Sequence, residues 1–504
     1  MTRIRTPVLI VGGGMGGCAA ALALASQGVK CVMSEPHRWL GGQLTSQAVP
    51  LDEHPWIEDF GRTELYAELR RRLRARYAVE DRGFDLGRGN PGQAWVSRLA
   101  IEPRLAAEVF ESWLGSYRKT LTLLRGYRPE SAEVRDERIL SVQMVHVETG
   151  EEVRVEPQFV LEATELGELL PLVGCDYRVG AESKSETGEP HAPEVAAPLS
   201  QQAITWVLAL TWGEPATDLA RPTGYDRWVD FRPPGWPGPL LSWTYPEPRT
   251  GATKSLPLFE PEPSWWSYRR VRAASSGRAE SSLVNWPQND QMIQAVIDVP
   301  PDDAERGYQL ARELSLSWLH WMQTEGGAPQ LRPDPEAVGT PDGLAQAAYI
   351  RESRRIVPLR RILETDVSAE LHPDLRLAES FPDSIGVGAY RIDLHPTPTG
   401  DPYLDLSSLP YEIPLRSILP TSLRNLIAAG KCMGSTHITN GCTRLHPVEW
   451  NVGESAGRLA AFCLREGSEP HQVAASPTRT TSFQSSLLQA GVEIFWPEDA
   501  VHPL

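Results

Sequence analysis

Two arginines at the start of the chain give way to an apolar run, Pro7 to Val11, in which Val8-Leu9-Ile10-Val11 is β-favouring throughout. Such an unbroken run predicts a parallel strand buried on both faces. Glycines end it after five residues, too soon for the apolar region of a secretory signal. An Ala- and Leu-rich stretch from Cys18 to Gln27 then predicts a helix closed by Gly28. Val29 to Met33 predicts a second strand, ending on Ser34 and Glu35. Farther along, Ile139–Val147 and Glu151–Val155 alternate about a Glu148-Thr149-Gly150 turn and read as a hairpin, with an apolar strand at Gln158–Leu161 behind it. Asn425 to Gly430 reads as the last strand, and Val448 to Arg465 as a helix with Pro447 at its first position. Long helices are also expected at Ile101–Leu124 and at about 303–323, and the arginines from Arg70 to Arg76 read as a solvated helix face.

The segment between the first strand and helix carries chemistry. Gly12-Gly13-Gly14-Met15-Gly16-Gly17 contains GxGxxG at Gly12, Gly14 and Gly17. Gly12 allows the tight turn, Gly14 lets backbone amides approach a pyrophosphate, and Gly17 lets helix and strand pack closely. Met15 and Gly16 open a helix whose free N–H groups and partial positive charge suit phosphate. Glu35 ends the second strand, where a carboxylate accepts hydrogen bonds from a ribose, and an acid there argues against a 2′-phosphate. Strand, motif, helix, strand and acid arrive in order and together specify dinucleotide binding.

The next stretch, Glu35-Pro36-His37-Arg38-Trp39-Leu40-Gly41-Gly42-Gln43-Leu44-Thr45-Ser46-Gln47, resembles flavoproteins of the glutathione-reductase type, which place a second glycine pair here. Its wording is similar to that of the FAD-dependent oxidoreductase family related to fumarate reductase and heterodisulfide reductase flavin subunits. Ala163-Thr164-Glu165 resembles the family's Ala-Thr-Gly turn, with Glu165 where glycine is usual; Tyr349 to Arg355 and the segment around Gly430 are similar as well. The resemblance implies FAD as cofactor. It implies an α/β fold: a Rossmann-like FAD-binding domain, with a doubly wound parallel sheet and a β-meander, carrying an inserted mixed α+β substrate domain. The corresponding boundaries are 1–185 and 341–468 for the two parts of the FAD domain, 186–340 for the insertion and 469–504 for a C-terminal extension. It also implies cofactor contacts from Pro36, Gly41, Gly42, Gln43, Gln47, Ala163, Thr164, Gly430, His446 and Asn451, with the helix after Pro447 aimed at the flavin.

Composition narrows the surroundings. A formal charge of -16 argues against nucleic acid or an anionic membrane as main partner. No apolar run is long enough for a spanning helix. The six cysteines show no CxxC pair and read as reduced, buried thiols of a cytoplasmic protein. No His/Cys/Asp/Glu spacing suggests a metal. Residues 186–340 are rich in Pro and Trp. Each tryptophan reads first as core, while the segment as a whole offers either a wall for a small-molecule substrate or an interface in a homo-oligomer.

Candidate catalytic groups are those expected where the chain passes the flavin. His437 follows the last strand, Arg444 lies before the final helix, where it can clamp a carboxylate, and Arg354 or Arg351 comes from the domain junction; His395 is a weaker candidate. The expected function is hydride transfer between flavin N5 and a CH–OH, CH–NH or C=C centre of a small organic substrate. Two alternatives stand beside it: an NAD(P)H-driven reductase or monooxygenase, for which Gly386-Val387-Gly388 is a poor second nucleotide motif, and a non-redox ligand carrier.

Overall fold

The computed structural model describes residues 2–215, 219–497 and 501–504. The expected first strand is β1 (Thr2–Val11), followed by α1 (Met15–Ser26) and β2 (Cys31–Glu35). Val8 to Val11 are fully buried, which stabilises the sheet by roughly 1.5–3 kcal/mol for each large side chain. Gly28 takes the left-handed conformation that ends α1. β2 starts two residues later than the sequence suggests because the amide of Val29 still bonds back to Leu24 at the helix end.

Two helices, α2 (Glu64–Glu80) and α3 (Pro103–Gly115), precede β3 (Leu121–Arg125). The single helix expected over 101–124 is therefore divided. Leu121 to Arg125 pair in parallel with Cys31 to Glu35, and sheet pairing overrides a weak helical pattern. The arginine cluster needs a second correction: Arg70 and Arg74 are buried, paired with Glu53 and Glu58. Only part of that face is solvated.

β4 (Tyr127–Arg135), β5 (Arg138–His146) and β6 (Glu152–Glu162) form the meander. The two expected segments at 151–155 and 158–161 are one long strand, whose first half pairs with β5 and whose second half pairs with β7 (Leu426–Ala428). The sheet order is β3-β2-β1-β6-β5-β4, with β7 also beside β6. β1, β2, β3, β6 and β7 are mutually parallel where they pair. Their carboxyl ends therefore lie along one edge, the place where open α/β sheets bind ligands.

The Trp-rich segment builds a separate antiparallel sheet from Leu208–Trp212, Arg270–Arg272, Ser281–Val284 and Leu331–Pro333. Helix α4 (Pro301–Thr324) covers it. Trp228, Trp265, Trp286 and Trp318 are buried in this second core, with Trp265 stacked on Trp286 at 5.1 Å. These tryptophans are core residues. The chain then returns through β7 to α5 (His437–Thr443) and α6 (His446–Glu466).

Small residues join the two ends of the chain. A Cβ on Gly453 would lie 2.0 Å from the Gly16 carbonyl oxygen, and one on Gly457 would lie 2.7 Å from that of Ala20. Helices α1 and α6 thus touch backbone to backbone, which brings their N-terminal turns to the same edge of the sheet.

Candidate functional site

Three loops converge where β1, β2 and β6 end. The Gly12 amide bonds the Ser34 carbonyl at 3.2 Å, and the Ala163 amide bonds that of Val11 at 2.8 Å. Gly12 has φ +102°, and a Cβ there would be 2.3 Å from the Ala163 carbonyl oxygen, so no other residue fits. Gly16 is held as tightly, 1.9 Å from the Ala429 oxygen by the same measure, and Gly17 is 2.0 Å from that of Gly12. Gly14 differs. A Cβ on it would first meet a side-chain atom, the Glu165 carboxylate oxygen at 2.6 Å. Gly42, at φ +49°, meets the same oxygen at 2.4 Å. The two glycines lie against each other, a Cβ on Gly42 also falling 2.8 Å from the Gly14 Cα, and the Glu165 carboxylate lies over the place where they meet.

Four ionisable groups surround this cradle. Glu35 accepts the Gly13 amide at 2.9 Å and the His37 amide at 2.8 Å, and burial pushes its carboxyl up to about 8 despite those bonds. Glu449, in the first turn of α6, accepts the Gly16 amide at 3.4 Å and the side-chain amide of Gln43. Burial raises it to about 7, against the pull of Lys431. Glu165 pairs with Lys431, whose ammonium also donates to the Ile350 carbonyl at 2.9 Å. Three carboxylates therefore stand at the N-terminus of α1, and the one buried ammonium pairs with Glu165.

A cavity of about 310 Å³ opens from this point, within the range of small-molecule clefts. Gly12, Gly14, Glu35, Pro36, Ala163 and Thr164 line one end. Gln47 lines it farther along and accepts the Ile350 amide at 3.1 Å. Trp206 and Tyr308, from the Trp-rich region, complete the wall. Nothing in their spacing marks them in the sequence.

A second cavity, about 450 Å³, lies beside α5. His437 is on its wall, with Nδ1 3.0 Å from Glu352 and its own amide donating to Glu182 at 2.8 Å. Arg355 ties Glu352 to Glu182. Burial disfavours charge on both members of the His437–Glu352 pair, yet their mutual attraction wins: the imidazole is raised, and Glu352, helped by Arg355, is held at about 2. His395 also lines this cavity, with Nδ1 2.6 Å from Asp290. Asp290 accepts from Arg351 at 2.9 Å and from the Tyr403 hydroxyl at 3.1 Å. It too is held at about 2, since Arg351 and His395 outweigh its burial.

Several expected residues fall elsewhere. Arg444 is buried and lines neither cavity, with its guanidinium on the Tyr349 hydroxyl at 2.7 Å and on Asp393 at 3.1 Å. Arg354 lies outside both cavity walls, bound to Asp298 at 2.7 Å and to the Leu166 carbonyl at 2.9 Å. Asn451 packs against the strand Ser384–Gly388, where a Cβ on Gly386 would be 2.0 Å from its side-chain oxygen. Met15 is fully buried in the main core. Gly41 bonds the Gly13 carbonyl at 2.8 Å, and Gly430 stands beside Glu449. His446 accepts the Asp52 amide at 3.1 Å through Nδ1, and burial lowers its imidazole to about 4.

Fold and cradle together define a dinucleotide-binding α/β protein. The profile of the family described as FAD dependent oxidoreductase matches residues 7–487, and the chain belongs to that family. It is an FAD-dependent enzyme. No curated protein matches significantly. Among solved structures, a geranylgeranyl bacteriochlorophyll reductase-like protein from Thermoplasma acidophilum is 10% identical, with 97% of this chain and 85% of that one covered at a TM-score of 0.33. L-proline dehydrogenase from P. horikoshii is 16% identical over 32% of this chain and 23% of that one, at 0.20. The flavin-dependent monooxygenase PieE is 15% identical over 42% and 36%, at 0.25. The chain thus spans about a quarter of the dehydrogenase and about a third of the monooxygenase.

The residues present fit FAD. The nearest atom to a Cβ on either Gly14 or Gly42 belongs to a rotatable side chain, that of Glu165; Lys431 offers a cation there, and Glu35 stands at the end of β2. Gln43 Oε1 and His446 Nε2 are buried without partners among the described residues, as polar atoms awaiting a ligand would be.

Proposed function

We propose that this enzyme catalyses hydride transfer between flavin N5 and a CH–OH, CH–NH or C=C centre of a small polar substrate held in the second cavity. The His437–Glu352 pair on that cavity's wall carries the reading. Bound FAD supplies the two-electron centre. The chain's own residues hold the substrate and move its proton. With Nδ1 engaged by Glu352, Nε2 of His437 is the atom left to exchange a proton with the cavity's contents.

His395 is fixed by Asp290, which Arg351 and Tyr403 fix in turn. Arg444 is a positioning residue in this scheme, because it holds Asp393, which lies 3.5 Å from His395 Nε2. Arg354 braces the Leu166 turn at the outer rim of the first cavity. Gly12, Gly14, Gly16, Gly42 and Lys431 hold the diphosphate, Glu35 and Pro36 the adenosine end, and Gln43, Gln47 and His446 the flavin end. Residues 186–340 are read as an inserted domain supplying Trp206 and Tyr308 to the first cavity. Six buried free thiols support a cytoplasmic setting.

Anaerobic mixing of the yellow holoenzyme with a panel of alcohols, amines and enoates tests the proposal. Bleaching by one class supports it. Flavin that resists every panel member and is reduced at once by NADH would replace it with the pyridine-nucleotide-driven reading.

A further inference from the structure

The Glu165 carboxylate sits where an anion belongs. One of its oxygens lies over the place where Gly14 and Gly42 meet, 2.6 and 2.4 Å from where their Cβ atoms would stand. That oxygen is buried and has no hydrogen-bond partner among the described residues. The other oxygen pairs with Lys431, whose side chain is 1% exposed. The backbone beneath is fixed: Ala163 is clamped against Gly12, and the Thr164 amide and hydroxyl are held by Glu162. The turn cannot shift to make room, so only the Glu165 side chain can leave.

We infer that Glu165 is a built-in stand-in for the cofactor's diphosphate, a carboxylate that keeps Lys431 paired until FAD displaces it. An ammonium buried without a counter-ion is costly; Glu165 supplies the direct ion pair, and Glu449 adds a weaker attraction. Diphosphate and carboxylate cannot share the place over Gly14 and Gly42, and like charges repel there. Uptake of FAD therefore exchanges one anion for another at Lys431. The closed arrangement lowers apparent affinity by the fraction of molecules in which Glu165 is out of the way.

The test is calorimetric titration of the full-length apoprotein with FAD, ADP and adenosine, alongside its melting temperature. Glu165→Gln is expected to bind FAD and ADP about tenfold tighter, as for a competent fraction near one in ten. Its apoprotein should melt at a lower temperature, because Lys431 loses its direct ion pair and keeps only the weaker attraction of Glu449. Adenosine, which carries no phosphate, should bind all forms alike. Glu165→Asp, whose shorter arm withdraws the charge, covers the case in which the first variant does not fold and should tighten FAD by a smaller factor. Unchanged or weaker FAD and ADP binding in both variants overturns the inference, as does equal tightening of adenosine.

Discussion

The two cavities use the same residue type in opposite states. At the first, burial raises Glu35 to about 8 and Glu449 to about 7, with backbone amides as main partners. At the second, Glu352 and Asp290 are just as buried but are held at about 2 by arginine and histidine. At the first site the amides at the start of α1 and one lysine are shared among three carboxylates, Glu35, Glu165 and Glu449. At the second, each carboxylate has arginine and histidine partners of its own. Such a cradle suits an occupant that brings negative charge with it, whereas the second arrangement holds its imidazoles in fixed orientation, as the proposed proton transfer requires.

This contrast can be broken most forcefully at the second site. Asp290→Ala leaves Arg351 buried without its counter-ion and should destabilise the protein by about 3–5 kcal/mol, read by denaturant unfolding. At the cradle, Gly16→Ala sets a methyl 1.9 Å from a carbonyl oxygen. A loss of about 1–3 kcal/mol is expected, with weaker FAD retention, and a variant as stable as the parent would show the cradle to be looser than described.

A subtler difference lies in pH. Glu449 has a folded-state value above that of an ordinary carboxylate, so its contribution to stability is full below about 4.3 and is lost as pH rises through about 7. Glu352 runs the other way: its contribution is present above about 4.3 and is lost as pH falls through about 2. Glu449→Gln should therefore flatten the fall in the apoprotein's melting temperature as pH rises from about 4.3 through about 7, and leave the acid limb set by Glu352 as it was. A melting profile unchanged on both limbs would contradict the assignment.

The same contrast explains what could be read from sequence. The cradle is written in one contiguous stretch, from Val8 to Gln47, because a βαβ unit folds locally and its glycines answer to neighbours a few residues away. Glu165 stood out as a departure from glycine, but its partner Lys431 lies 266 positions on, and no spacing rule links the two. His437 was legible only as a histidine after the last strand. Its partners Glu352 and Glu182 are 85 and 255 positions away, and both are brought in by the return of the chain beside β6. Arg444 looked like a carboxylate clamp because sequence cannot show that Tyr349 and Asp393 already occupy its guanidinium. The tryptophans were ambiguous until the antiparallel sheet and α4 gave them a core to fill.

Proton handling at the second cavity is the central functional claim, and single-turnover flavin reduction in the absence of oxygen reaches it most directly. With a reducing substrate in hand, His437→Gln should retain FAD as tightly as the parent, yet reduce it about 10²–10⁴-fold more slowly, with the pH dependence of the step abolished. Reduction at the parental rate and with the parental pH profile would contradict the account.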